Sequence, residues 1–186
     1  MSIDFQFCPD KAVEAAAVLL KLHGKPMKYI GLLKMLYIAD RIALDRMEQP
    51  ITGDTYVSMD YGPVLSGVYD LIKQEALADD GCSLWAKHIS SPKEKSVFLL
   101  QDPGNGELCE EEEEILQEVY QEFGHLDPFR VVDWTHGLPE WRAPHGSSIP
   151  IETQDILKHL GKDAVEIDEI RQETMRENYL DMVLNG

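Results

Sequence analysis

The segment from Tyr29 to Met47 most constrains what this chain can fold into. Tyr29, Leu33, Leu36, Ala43 and Met47 recur at helical steps before Pro50 closes the run. That spacing predicts a helix with a continuous apolar seam, around which other elements must pack. Asp40 interrupts the seam, one helical turn beyond Leu36 and Tyr37. A carboxylate there is costly unless donors reach it. We read Asp40 as structural, expecting hydrogen bonds from tyrosine, threonine or backbone groups of the segment after Pro50, because no second carboxylate or histidine is obliged by sequence to lie beside it as a catalytic partner.

The remaining pattern is also mainly helical. Pro9 to His23 carries Val13, Ala16, Ala17 and Leu20 at helical spacing and stops at Gly24 and Pro26. Pro63 is expected to open a helix reaching Glu75. Leu84 to Ile89 and Ser96 to Leu100 read as short strands of a hairpin. Ile115, Leu116, Val119, Tyr120 and Phe123 mark a helix ending at Gly124, with Glu110 to Glu114 as its acidic, solvated start. Asp127 and Pro128 suit the cap and first turn of a short helix ending at Gly137. An irregular stretch from Leu138 to Pro150 follows, then helices over Glu152 to His159 and Ala164 to Leu184. The last has Ile167, Ile170, Tyr179, Met182 and Val183 as its apolar side. The expected architecture is mainly α, a single compact helical domain over residues 1–186 with a small antiparallel β element.

Composition narrows the function classes. Hydrophobic residues at 44% and charged residues at 27% fit a globular core rather than disorder. A net charge of −17 argues against a nucleic-acid partner, since Lys21, Lys25 and Lys28 form only a thin basic group; an acidic surface steers basic proteins instead. No apolar run approaches the roughly 20 residues that a bilayer span needs, and Met1 to Pro9 lacks the basic start of a secretory signal. A cytoplasmic protein with no membrane partner is expected. Cys8, Cys82 and Cys109 are too scattered for a disulfide framework or a zinc knuckle.

The least generic stretch is Ile51 to Val64, ITGDTYVSMDYGPV. Small, aromatic and turn-forming residues crowd a place where a loop is usually polar. Gly53 and Gly62 permit unusual backbone angles or close approaches, and Pro63 fixes the chain direction, so the segment reads as a rigid corner. Tyr56 and Tyr61 suit either core packing with a polar edge or contact with a partner.

Three blocks carry a family resemblance: LLKMLYIADRIAL from Leu32 to Leu44, ITGDTYVSMDYGPVLSGVYDLIK from Ile51 to Lys73, and DWTHGLPEW from Asp133 to Trp141. Together they resemble the Panacea domain, over residues 12–141, leaving 142–186 as a C-terminal helical extension. Members of that family occur as antitoxins and in phage-related proteins. One type, the SocA antitoxin, is a proteolytic adaptor that delivers its toxin to the ClpXP protease. The resemblance implies neutralisation of a cognate toxin by direct protein contact, without catalysis, cofactor or metal, and it leaves room for a ClpXP-type protease and for a homodimer. The motif positions it marks as scaffold or partner contact are Asp40, Thr52, Gly53, Asp54, Tyr56, Tyr61, Gly62, Pro63, Val64, Tyr69, Asp133, His136 and Trp141.

Other readings stay open beside it. His125, Asp127, Asp133, His136 and His145 are metal-ligand types, but the spacing places only Asp133 and His136 on one helix, where a hydrogen-bonded structural pair is the simpler expectation. A hydrolase-like enzyme built on Asp133 and His136, with Asp40, is the catalytic alternative, although no P-loop, G-x-S-x-G or H-E-x-x-H pattern occurs. A phage or mobile-element protein with a non-toxin partner is the third. Trp134 and Trp141 are expected to close the core.

Overall fold

The computed structural model describes residues 1–74 and 81–186. Its helices are α1 (Pro9–His23), α2 (Tyr29–Met47), α3 (Ser66–Lys73), α4 (Cys82–His88), α5 (Glu110–Phe123), α6 (Pro128–His136), α7 (Thr153–His159) and α8 (Ala164–Asn185). The strands are β1 (Met27–Lys28), β2 (Tyr56–Met59), β3 (Gly62–Leu65), β4 (Ser96–Val97) and β5 (Ile149–Ile151). The chain is compact and mainly α-helical.

α2 is the axis. Every residue from Gly31 to Asp40 is buried, because α1, α5, α6, α7 and β3 all pack around it. A helix buried on all sides loses its polar face, and the Lys and Asp side chains in that run, Lys34 and Asp40, must find partners inside the protein. α1 and α5 close one side with Ala12, Ala15, Ala16, Leu19, Ile115, Leu116 and Val119. The alanines of α1 let its backbone approach closely, and Gly24 ends it in a left-handed cap (φ 70°) donating to the Leu20 carbonyl.

The corner after Pro50 becomes a hairpin. β2 and β3 pair antiparallel, Met59 opposite Gly62, around the two-residue turn Asp60–Tyr61, and β5 joins the other edge of β2 in the order β3-β2-β5. β1 and β4 form a separate two-stranded ribbon, with Met27 opposite Val97. Pro63 therefore sits in a strand, not at the start of a helix. It lacks an N–H, which β3 tolerates as the edge of the sheet. The helix begins three residues later because Asp54, far back in sequence, receives the free amides of Gly67 (2.8 Å) and Val68 (2.9 Å). The expected end of that helix at Glu75 lies outside the described residues.

Further expectations change. Leu84 to His88 is helical rather than extended, and only Ile89 is extended: Leu84, Ala86 and Lys87 are good helix formers, and Trp85 and His88, one turn apart, are buried as α4 packs on α1. The ribbon survives only as β4, with isolated bridges Ile89 to Leu99 and Lys93 to Ser96. Glu112 in the acidic start of α5 is buried, not solvated. Its side chain accepts from Lys11 Nζ at 2.7 Å and from the Cys109 N–H at 2.9 Å. α8 is buried only through Ile167, Ile170 and Thr174, so the expected apolar side dissolves toward its end, where Tyr179, Met182 and Val183 are exposed. Among the described residues, no helix is long and apolar enough to cross a membrane.

Gly53 has a left-handed backbone (φ 67°), and a Cβ there would sit 2.1 Å from the Gln6 carbonyl oxygen. Gly104 has a similar angle (φ 78°) with open space around it. Gly104→Ala should cost about 1 kcal/mol of backbone strain, whereas Gly53→Ala should cost more than about 3 kcal/mol by adding a backbone clash. Urea unfolding of the two variants measures the difference.

Candidate partner-binding site

The corner is fastened to α2 through Asp40, which is 1% exposed. Oδ1 accepts the backbone N–H groups of Ile51 and Thr52, each at 3.0 Å; Oδ2 accepts the Thr52 hydroxyl at 2.5 Å and the Tyr56 hydroxyl at 3.2 Å. Burial pushes the Asp40 carboxyl up to about 7, against the downward pull of its hydrogen bonds from Thr52 and Tyr56. Asp54 extends the fastening to α3, and its carboxyl is likewise raised by burial. Tyr56 packs edge-on against Tyr37, ring centroids 5.6 Å apart. Tyr37 donates to Glu140 Oε1 at 2.9 Å, and Arg41 Nε reaches the same oxygen at 2.7 Å. Burial, then Glu140, raises Tyr37. Glu140 thereby ties the loop after α6 to α2, a role that its sequence position did not signal.

Beside this network, Lys34 is fully buried and donates from Nζ to the Pro63 carbonyl at 2.7 Å. Desolvation lowers it from 10.5 to about 7. Gly62 (φ 95°) lies over it: a Cβ would meet Thr135 Oγ1 at 2.5 Å and Lys34 Nζ at 3.3 Å. Thr52, Gly53, Asp54, Tyr56, Gly62 and Pro63 are all buried, so these motif residues hold the corner and present no surface.

What the corner presents is Tyr61. At the hairpin tip it is 61% exposed and meets Phe129, itself 56% exposed, edge-on at 6.1 Å. The two rings stand on the rim of an apolar groove of about 400 Å³, walled by Tyr29, Ile30, Leu33, Met59, Val64 and Tyr69. Lys73 Nζ lies 4.8 Å from the centre of the Tyr29 ring and donates to the Tyr29 hydroxyl at 2.9 Å. Of the motif positions, Tyr61, Val64 and Tyr69 thus belong to a concave, accessible surface. Phe129 and Tyr29, its other aromatic walls, lay unmarked in helices whose apolar residues read as core.

The family model described as "Antitoxin SocA-like, Panacea domain" matches residues 32–142. The chain belongs to this family. No curated protein matches it, and no solved structure does. The Panacea match takes in Asp40, the corner, most of the groove wall and Glu140, and leaves α1, α7 and α8 outside.

The remaining Panacea motif positions do not converge. Asp133 is exposed on α6, and among the described residues no hydrogen bond joins it to His136, which corrects the expected pair. His136 instead stacks on Trp141, ring centroids 4.0 Å apart and 17° from parallel, and its buried Nε2 has no hydrogen-bond partner among the described residues. Trp141 donates from Nε1 to the Met59 carbonyl at 3.0 Å, securing the back of the hairpin. Trp134, expected in the core, is 44% exposed and packs on Phe123. Among the described residues, no three His, Cys, Asp or Glu side chains cluster to hold a metal ion.

Two predictions test this division between support and surface. Asp40→Asn should cost about 2–4 kcal/mol in urea unfolding, because an amide cannot accept from all of these donors, while Tyr61→Ala should stay within about 0.5 kcal/mol. A lysine whose folded pKa is depressed weakens the fold fully below that value and ceases to do so above its unfolded one. Lys34 should therefore make stability climb with pH from about 7 toward 10.5. Lys34→Met should flatten that slope and add about 1–3 kcal/mol at pH 7, less than the whole shift because Pro63 loses its donor.

Proposed function

We propose that this protein is the antitoxin of a type II toxin–antitoxin pair and that it acts by binding its cognate toxin, without catalysis or cofactor, in the cytoplasm. The observation that carries the reading is the exposed Tyr61–Phe129 edge over an apolar groove, built on a corner that the family match encloses. Large aromatic side chains lose little conformational entropy on contact and bury much area, which is why they dominate interface energetics. Here a buried carboxylate network holds the hairpin that carries one of them, so little ordering remains to be done on binding. Delivery of the bound toxin to a ClpXP-type protease is the extended form of the same proposal. That α7 and α8 lie outside the family match and contribute no residue to the groove lining supports a separate region for the second partner.

Co-expression with the product of the adjacent gene tests the reading. The expected outcome is growth rescue together with co-purification, both lost in Tyr61→Ala/Phe129→Ala, whose complex should be weaker by roughly 30-fold or more. A complex without any growth phenotype would point to a non-toxin partner, such as one from a phage or mobile element. The absence of both toxicity and a complex would overturn the proposal. For the adaptor form, the toxin's half-life in cells should shorten when antitoxin and protease are both present.

A further inference from the structure

A second hollow of about 540 Å³ adjoins the aromatic groove, sharing Lys28, Asp127 and Pro128, and runs on between the end of α1, the start of α2 and the α5–α6 connection. Both have apolar walls, formed in the second by Leu22, Met35, Phe123 and Val131, but the second also presents His23, His125 and the Tyr120 ring. Two unlike hollows in series suit successive side chains of one peptide better than a single small molecule.

The charge of this cleft runs against that of the protein. The chain has 34 Asp and Glu against 17 Lys and Arg. The cleft is lined by Lys25, Lys28, Lys34 and Lys95 with His23 and His125, and among the described residues by one carboxylate, Asp127. That carboxylate is occupied, since its Oδ1 accepts the Phe129 N–H at 2.9 Å and caps α6. Lys28 Nζ rests on a neutral group, the Glu94 carbonyl oxygen, at 2.6 Å. Lys25, Lys28 and Lys95 are in no ion pair among the described residues. Burial, then Lys25 and His125, hold His23 below its ordinary value. A phosphate group would compete for the α6 N-terminus, but Asp127 already fills that position.

We propose that this cleft receives an acidic, apolar segment of the partner protein, its carboxylates set on Lys25, Lys28 and Lys95 and a large apolar side chain lodged against Tyr61 and Phe129. This rests on the reading that the partner is a protein, and names the chemistry of the segment it inserts. Net charge governs approach from a distance, but at contact the local lysines decide which side chains are accepted. The acidic exterior that would attract a basic body and the lysine-lined cleft that would take an acidic segment are separate surfaces.

The test uses the full chain and a fluorescein-labelled peptide of about twelve residues alternating Leu or Phe with Glu, compared with the same peptide carrying Lys for Glu. Anisotropy at about 0.15 M salt should show the acidic peptide bound at least roughly tenfold more tightly than the basic one. Lys28→Glu/Lys95→Glu and, separately, Tyr61→Ala should each weaken it by roughly tenfold, while Lys87→Glu, an exposed change outside the cleft, should not. If the double reversal unfolds, Lys28→Gln/Lys95→Gln serves, with a smaller loss expected. Equal affinity for the basic peptide, indifference to the lysine changes, or inorganic pyrophosphate binding in place of the peptide would each overturn the proposal. The two readings can fail separately. Growth rescue that survives Lys28→Glu/Lys95→Glu removes the cleft from an antitoxin that still stands, and peptide binding without rescue by any neighbouring gene does the reverse.

Discussion

One buried carboxylate organises this fold. Asp40 sits in the fully enclosed run of α2, and four donors from Ile51, Thr52 and Tyr56 converge on it. Because an unpaired charge at that depth would be costly, α2 and the corner must be correctly placed together. The consequences propagate in sequence. The corner sets β2, the hairpin turns the chain back, and Asp54 receives the first amides of α3. Glu140 repeats the device from the other side, where Tyr37 and Arg41 of α2 capture the loop that follows α6. Polar groups inside a helical core thus specify one arrangement of loops that apolar contacts alone would leave loosely defined.

The same economy separates support from display. Most motif residues of the corner are buried and hydrogen-bonded, and the hairpin they hold exposes a single aromatic ring at its tip, Tyr61. Lys34 has a different standing. It is enclosed, its ammonium has one carbonyl partner in Pro63, and burial holds its pKa near 7. A buried lysine is seldom the most stable choice at its position. It lies at the floor of the groove that Lys28 and Lys95 also line.

Much of the helical frame was legible in the sequence, because helices such as α1, α2, α5 and α6 carry local signals: apolar steps of three and four, Pro at the first turn, Gly at the end. The misreadings have a common cause. Pro63 looked like a helix start because the strand that pairs with it is needed to see it as an edge, and the cap of α3 lies thirteen residues away on Asp54. Leu84 to His88 read as a strand although Leu84, Ala86 and Lys87 favour a helix, and the burial of Trp85 and His88 one turn apart shows only in the packed structure. Asp133 and His136 share a helix, yet one faces solvent and the other stacks on Trp141, a distinction that spacing alone does not encode.

By itself the sequence determined the apolar seam of α2, the need of Asp40 for donors and the likeness to a family, since each of these is written in residues that are neighbours along the chain or recur at a fixed period. Only the tertiary structure decided which tyrosine of the corner is buried and which is exposed, that Lys34 lies beneath the groove, and that Lys25, Lys28, Lys95, His23 and His125 line one cleft in an acidic protein. The reason is physical: burial and electrostatic surroundings are set by atoms brought from distant parts of the chain, and no local pattern fixes how those parts meet.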